Sequence, residues 1–187
     1  MIYYVSDLHI GDETIFKKCN RPFKNVDEMK QTIIKKWNCK VSPDDIVYVL
    51  GDIADDNPKT IETYRLLNGH KHLIVGNHDH DILDDIRKSK IFESVKFIDL
   101  IEDNGRKVCI CHHPLMDWME FNRDGCLIYG HVHNKTGANG HAYEQIKKYY
   151  ADKPAFNCGV DVNGFEPVTL DEMIKAKEDC KDDPYIH

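Results

Sequence analysis

Ile46-Val47-Tyr48-Val49-Leu50-Gly51-Asp52 is an unbroken apolar run of strand length that stops on a glycine and a carboxylate. Continuous rather than alternating hydrophobicity suits a strand buried on both faces, as in a parallel sheet. Upstream, Ile2–Ser6 reads as a first strand, and Val26, Met29, Ile33 and Trp37 recur at helical spacing until Pro43 closes that segment. Downstream, Pro58 opens a helix running to about Leu67, Asn68-Gly69 turns the chain, Leu73–Val75 is a third strand and Asp81–Lys88 a short helix. Strands alternating with helices imply right-handed crossovers and a parallel half-sheet. The pattern then changes. Val95–Ile101, Asn104-Gly105 and Lys107–Cys111 read as a hairpin with a primed turn. Cys126–Tyr129 and Ala155–Cys158 read as further strands, with His141–Tyr150 as a helix between them. Thr169 is an N-cap with Glu172 completing a capping box, and the last helix runs to about Glu178. This is an α/β chain without internal repeat, low-complexity tract or linker.

Its 187 residues are most economically one domain, long enough to bury a core without disulfides. The apolar share of 41% and charged share of 30% are those of an ordinary globular protein. Negative mean hydropathy and the lack of a long apolar run argue against a membrane span. A strand-like segment begins at Met1 with no basic leader before it, so a cytoplasmic location is expected. Seven scattered cysteines, an odd number, then read as free thiols. The formal charge of −7 repels a long polyanion, which disfavours extended duplex binding. Eleven histidines are many for this length, and about half fall into a few short motifs.

Those motifs carry the chemistry. In Asp7-Leu8-His9, alternate residues of an extended chain face the same side, so both side chains can reach one ion. Asp52 follows the decisive strand, where a carboxylate can bridge two cations, one through each oxygen, and Gly51 permits close backbone approach. Gly76-Asn77-His78-Asp79 adds a neutral amide oxygen and an imidazole after the third strand. His112 leaves the strand Val108–Cys111 with Pro114 fixing the exit, while His113 points elsewhere if the chain stays extended. Gly130-His131-Val132-His133 supplies two more imidazoles, which need not share an ion. Each motif alone occurs by chance, but together they describe a site holding two metal ions at strand ends.

The order Asp-x-His, Gly-Asp-x-x-Asp, Gly-Asn-His-Asp, His-x-Pro, Gly-His-x-His resembles the calcineurin-like metallophosphoesterase superfamily, in its compact bacterial and phage form. The resemblance is densest from Asp7 to His133 and extends to Cys19-Asn20-Arg21-Pro22-Phe23 and Gly159-Val160-Asp161. It implies a four-layer α/β/β/α sandwich of two mixed sheets flanked by helices, a single domain over 1–187 and no cap domain. Carried over by motif, one metal takes Asp7, His9, Asp52 and His133, and the other takes Asp52, Asn77, His112 and His131. The resemblance also makes His78 the group that assists the leaving alcohol, with Asp79 orienting its imidazole. The implied reaction is hydrolysis of phosphodiesters or phosphomonoesters by in-line attack of a metal-bridging hydroxide.

Two divalent ions less two carboxylates and a hydroxide leave about +1, which suits an anionic phosphate without trapping the product. Nitrogen and carboxylate donors fit Mn²⁺, Fe²⁺ or Zn²⁺ better than Mg²⁺ or Ca²⁺. Arg21 is a candidate for holding a substrate phosphate. Asp12 stands where the family often has histidine, so specificity is not carried over from relatives. Asp55 orients its loop, Asp161 and Asn163 form a turn near the site, and His70, His72, His80, His141 and His187 are solvated. The expected partner is a small phosphate ester, extending to a nucleotide or short nucleic acid. A non-catalytic metal-binding scaffold of the same fold is the rival reading, but it has no need of His78. A mononuclear structural zinc site fails because such sites are closed and cysteine-rich.

Overall fold

The computed structural model describes residues 1–55, 57–134 and 140–181. A first sheet of four strands is built in sequence order from β1 (Ile2–Val5), β2 (Ile46–Val49), β3 (His70–Ile74) and β4 (Ser94–Lys96). All three pairings are parallel, as the unbroken apolar runs require. An isolated antiparallel bridge, Tyr4 to Val168, lies beside β1. The second sheet runs β5 (Ile98–Asp103), β6 (Arg106–Cys111), β7 (Cys126–Tyr129) and β8 (Ala155–Asn157). Its β5–β6 pair is antiparallel and the other two pairs are parallel. The β5–β6 turn has Asn104 at φ 48° and Gly105 at φ 77°, the two positive angles of a primed hairpin turn.

The helices are α1 (Thr14–Cys19), α2 (Val26–Lys40), α3 (Leu83–Ser89), α4 (Gly140–Tyr149) and α5 (Leu170–Lys181). Met29, Ile33 and Trp37 form the buried stripe of α2, and Asn25 caps it by accepting the Glu28 N–H at 2.8 Å. Thr169 and Glu172 close the capping box of α5 in both directions. The expected helix from Pro58 is a 3₁₀ segment ending at Leu66, and a second 3₁₀ segment, Asn77–Ile82, leads into α3.

Strand alternation assigns residues to layers. Tyr3, Val5, Val47 and Val49 face the helix side and pack with Met29, Ile33, Trp37 and Ile86. Tyr4 and Leu50 face the other way and meet Val108, Ile110 and Ile128 of the second sheet. The outer face of that sheet, Cys109, Leu127 and Tyr129, packs with Trp118 and Tyr150. Helix, sheet, sheet, helix is the resulting order. One expected element divides in two. The run expected as a single strand, Val95–Ile101, leaves the first sheet after Lys96 and joins the second at Ile98. Hydrophobicity does not interrupt at that crossing, so periodicity alone could not find it.

The described cysteines Cys19, Cys39, Cys109, Cys111, Cys126 and Cys158 are free thiols. His187 and the side chains of His141 and Cys180 lie outside the described residues. Among the described residues no helix is long and apolar enough to cross a membrane.

Candidate metal centre

The motif residues converge where strands of both sheets end. Asp7 and His9 follow β1, Asp52 follows β2, Asn77 follows β3, His112 follows β6, and His131 and His133 follow β7. This is the rim on which an α/β sheet holds ligands. The local backbone differs from the extended one expected there. Asp7, His9, Asp52, His131 and His133 all have positive φ, between 47° and 71°. Such angles are uncommon for residues with a Cβ and cost on the order of 1–3 kcal/mol each. Asp7 and His9 therefore meet through left-handed backbone at each of the two residues, not through strand alternation.

Two glycines allow this crowding. A Cβ on Gly51 would lie 2.4 Å from the Gly76 nitrogen and 2.8 Å from His112 Nδ1. One on Gly130 would lie 1.9 Å from Ser6 Oγ and 2.7 Å from Asp7 Oδ2. The second motif can lie against the third and fourth, and the fifth against the first, only because these side chains are absent.

Among the described residues donor atoms gather into four overlapping groups, two of them His112 with His113 and His131, and Cys19 with His133 and Asp161. Asp7, His9 and His133 each bring an atom within 4.8 Å of the others, as do Asp7, Asp52 and His112. Asp52 Oδ2 lies 3.6 Å from His9 Nε2 and 3.5 Å from His112 Nε2. Its Oδ1 accepts the His78 N–H at 2.9 Å. One oxygen, Oδ2, therefore faces both His9 and His112, in place of the expected use of one oxygen for each ion. Asn77 Oδ1 stands 3.0 Å from His112 Nε2. His112 Nδ1 lies 2.6 Å from the Leu50 carbonyl oxygen, so it can donate there and aim Nε2 at the cluster. The donor set fits metal ions. His9 Nε2 is buried without a hydrogen-bond partner among the described residues. Two donors bound at about 2.1 Å to one ion sit roughly 3–3.5 Å apart, close to the separations around Asp52 Oδ2.

The electrostatics follow from the buried carboxylates. Burial raises the Asp7 carboxyl, whose oxygens accept the His131 N–H at 3.0 and 3.1 Å. Burial also opposes ionisation of Asp52, but His112 and His9 beside it hold its carboxyl below the usual range. His112 is raised to about 9 against its burial by Asp52 and Asp7. His133 is raised to about 10 against its burial, chiefly by Asp161. Burial takes His9 down to about 3, and burial with the adjacent His112 takes His131 down to about 4. The carboxylates therefore draw positive charge onto His112 and His133 beside them, while burial keeps the His9 and His131 rings neutral.

Two sequence expectations are corrected. Arg21 does not face a substrate, because its side chain is buried and its donors are occupied. They reach Asp161 twice, the Leu8 and Asp7 carbonyls, and Met29 Sδ. Asp79 does not orient His78. Its buried carboxylate accepts N–H groups from Asp52, Ile53 and Gly76, and so pins the loop that carries Asp52. His78 itself is exposed, with its ring 5.1 Å from the His9 ring in an edge contact.

Sequence reasoning also undervalued two residues. Asp161 Oδ2 lies 2.8 Å from His133 Nδ1, so it fixes that ring through the nitrogen turned from the cluster. His113 meets His131 edge-on with ring centroids 4.3 Å apart, because the chain bends after Cys111 instead of staying extended. Asp55 and Asn163 act on the backbone as expected. The Asp55 carboxylate accepts the Asn57 N–H, and the Asn163 amide donates to the Asn157 and Gly159 carbonyls. Asp12 Oδ2 stands 3.8 Å from His9 Nδ1 while Oδ1 accepts the Thr14 N–H.

Residues 1–162 match the sequence model for calcineurin-like phosphoesterases. An uncharacterized protein of Methanocaldococcus jannaschii is 36% identical over 183 residues, which cover 96% of this chain and 93% of that protein. The Gene 66 protein of Mycobacterium phage L5 is 29% identical over 213 residues, covering 99% of this chain and 98% of that protein. The crystal structure of a protein of unknown function from Aquifex aeolicus superposes with a TM-score of 0.70 at 25% identity. That match covers 94% of this chain and 98% of the other.

Proposed function

The chain belongs to the calcineurin-like phosphoesterase family, and from that premise we propose that it is a dinuclear metal-dependent hydrolase of small phosphodiesters or phosphomonoesters. The observation that carries this reading is Asp52 Oδ2, set between His9 Nε2 and His112 Nε2 at 3.6 and 3.5 Å. Asp7, His9, Asp52 and His133 would hold one ion, and Asp52, Asn77, His112 and His131 the other. Mn²⁺, Fe²⁺ or Zn²⁺ matches this mixture of imidazole, amide and carboxylate. Bound there, such ions lower the pKa of water and neutralise charge developing on phosphate oxygens.

The chain's own groups supply the rest. His78, exposed above His9, is placed to give a proton to the departing oxygen or to hold it by a hydrogen bond. Asp79 keeps the Asp52 loop in its left-handed turn through three backbone N–H groups. Arg21 and Asp161 hold the backbone at Asp7 and the ring of His133.

The test is His78→Asn. Turnover of an aryl phosphodiester should fall by on the order of 10²-fold or more while bound metal per chain stays unchanged. Equal turnover would remove His78 from the reaction. A non-catalytic scaffold would show no turnover in the metal-loaded wild type at all.

A further inference from the structure

Phe97 is the residue at which the chain passes from one sheet to the other. Lys96 pairs with Ile74 at the end of the first sheet, and Ile98 pairs with Cys111 at the start of the second. Continuing each register by one residue sets Phe97 beside Val75 and across from His112. It stands between the strand that leads to Asn77 and the strand that leads to His112. Phe97 is 52% exposed and the next residue, Ile98, 43%, whereas Val75 and His112 are buried.

A second ring lies against it. His80 stacks on Phe97 with centroids 5.9 Å apart and planes at 28°. His80 follows Asn77 by three residues within the 3₁₀ segment Asn77–Ile82, and side chains at that spacing eclipse in such a helix. His80 and Asn77 therefore project along one edge. Exposed His113 packs against His112 at 4.9 Å and against His131 at 4.3 Å. His113 thus adds a ring against two of the candidate ligands, His112 and His131.

We propose that the Phe97–His80 pair is a stacking platform for the nucleobase of a nucleotide ester whose phosphate occupies the candidate metal centre. This rests on the phosphoesterase reading and names its substrate class. A base has a flat π face that stacks on aromatic side chains whatever its sequence. The platform spans two rings, and the chain's charge of −7 repels a long polyanion, so the substrate is a mononucleotide or a short oligonucleotide.

Two esters with one leaving group separate the possibilities: thymidine 5′-(4-nitrophenyl phosphate) and methyl 4-nitrophenyl phosphate. The Mn²⁺-loaded wild type should show a KM about tenfold lower for the thymidine ester. Phe97→Ala should erase that difference with kcat unchanged, and Phe97→Tyr should retain it. Equal KM values in the wild type, or a Phe97→Ala variant that keeps the tenfold difference, would overturn the platform. If neither ester is hydrolysed, the phosphoesterase reading fails and calorimetry still decides the platform. Thymidine 5′-monophosphate should then bind the Mn²⁺-loaded protein more tightly than inorganic phosphate, by a margin that Phe97→Ala removes. Equal binding of the two would overturn it.

Discussion

Asp161 has no contact with the phosphate position proposed above, yet much depends on its two oxygens. They accept from Arg21 and from His133 Nδ1, all at 2.8 Å. Removing such an outer partner of a metal-binding histidine costs about 10- to 100-fold in metal affinity. Asp161→Asn should therefore bind Mn²⁺ 10- to 100-fold more weakly by calorimetry, and an unchanged affinity would show that packing alone fixes the His133 ring. At this scale the sequence was legible where chemistry dictates residue type. Asp7, His9, Asp52, Asn77, His112, His131 and His133 do come together. It was illegible where an arginine or a carboxylate serves the backbone. Arg21 and Asp79 look reactive in one dimension, and only three-dimensional neighbours reveal that their hydrogen-bonding capacity is used on carbonyl and N–H groups.

Elements deliver these residues through turns more than through strands. The apolar runs ending at Leu50 and Tyr129 identified β2 and β7 because burial on both faces leaves an unmistakable pattern. The left-handed angles at five site residues leave no such trace, since aspartate and histidine also occupy ordinary turns. Gly130 was the visible sign of the crowding. Gly130→Ala would drive a Cβ to 1.9 Å from Ser6 Oγ and 2.7 Å from Asp7 Oδ2. Overpacking of this kind costs about 1–3 kcal/mol. A lowered midpoint in urea together with weaker metal binding is the expected result, and a variant as stable as wild type would mean that Ser6 moves freely. The passage of Phe97 between sheets was equally hidden, because an uninterrupted β-rich run gives no reason to divide it.

Across the whole molecule, both sheets contribute donors, so metal binding and folding are coupled. The first sheet supplies Asp7, His9, Asp52 and Asn77, and the second supplies His112, His131 and His133. A ligand that binds only the folded chain stabilises it by about 2.7 kcal/mol at one hundred times its dissociation constant. For a chain of this size that is a rise in Tm of roughly 5–10 °C. Mn²⁺ should produce that rise in a thermal scan and a chelator should reverse it, while an unmoved Tm would contradict coupling through both sheets. The layered architecture was legible only through the family resemblance that the motif order carries.

The central claim is that Asp52 joins two ions into one hydrolytic centre. It is tested most directly by measuring Mn²⁺-dependent hydrolysis of bis(4-nitrophenyl) phosphate, with bound metal counted in the same samples, for wild type and Asp52→Asn. The account predicts two ions per wild-type chain, fewer in the variant, and a fall in turnover of about 10³-fold or more, because the ions supply several kcal/mol of charge stabilisation. A variant that holds two ions and turns over within about tenfold of wild type would contradict it.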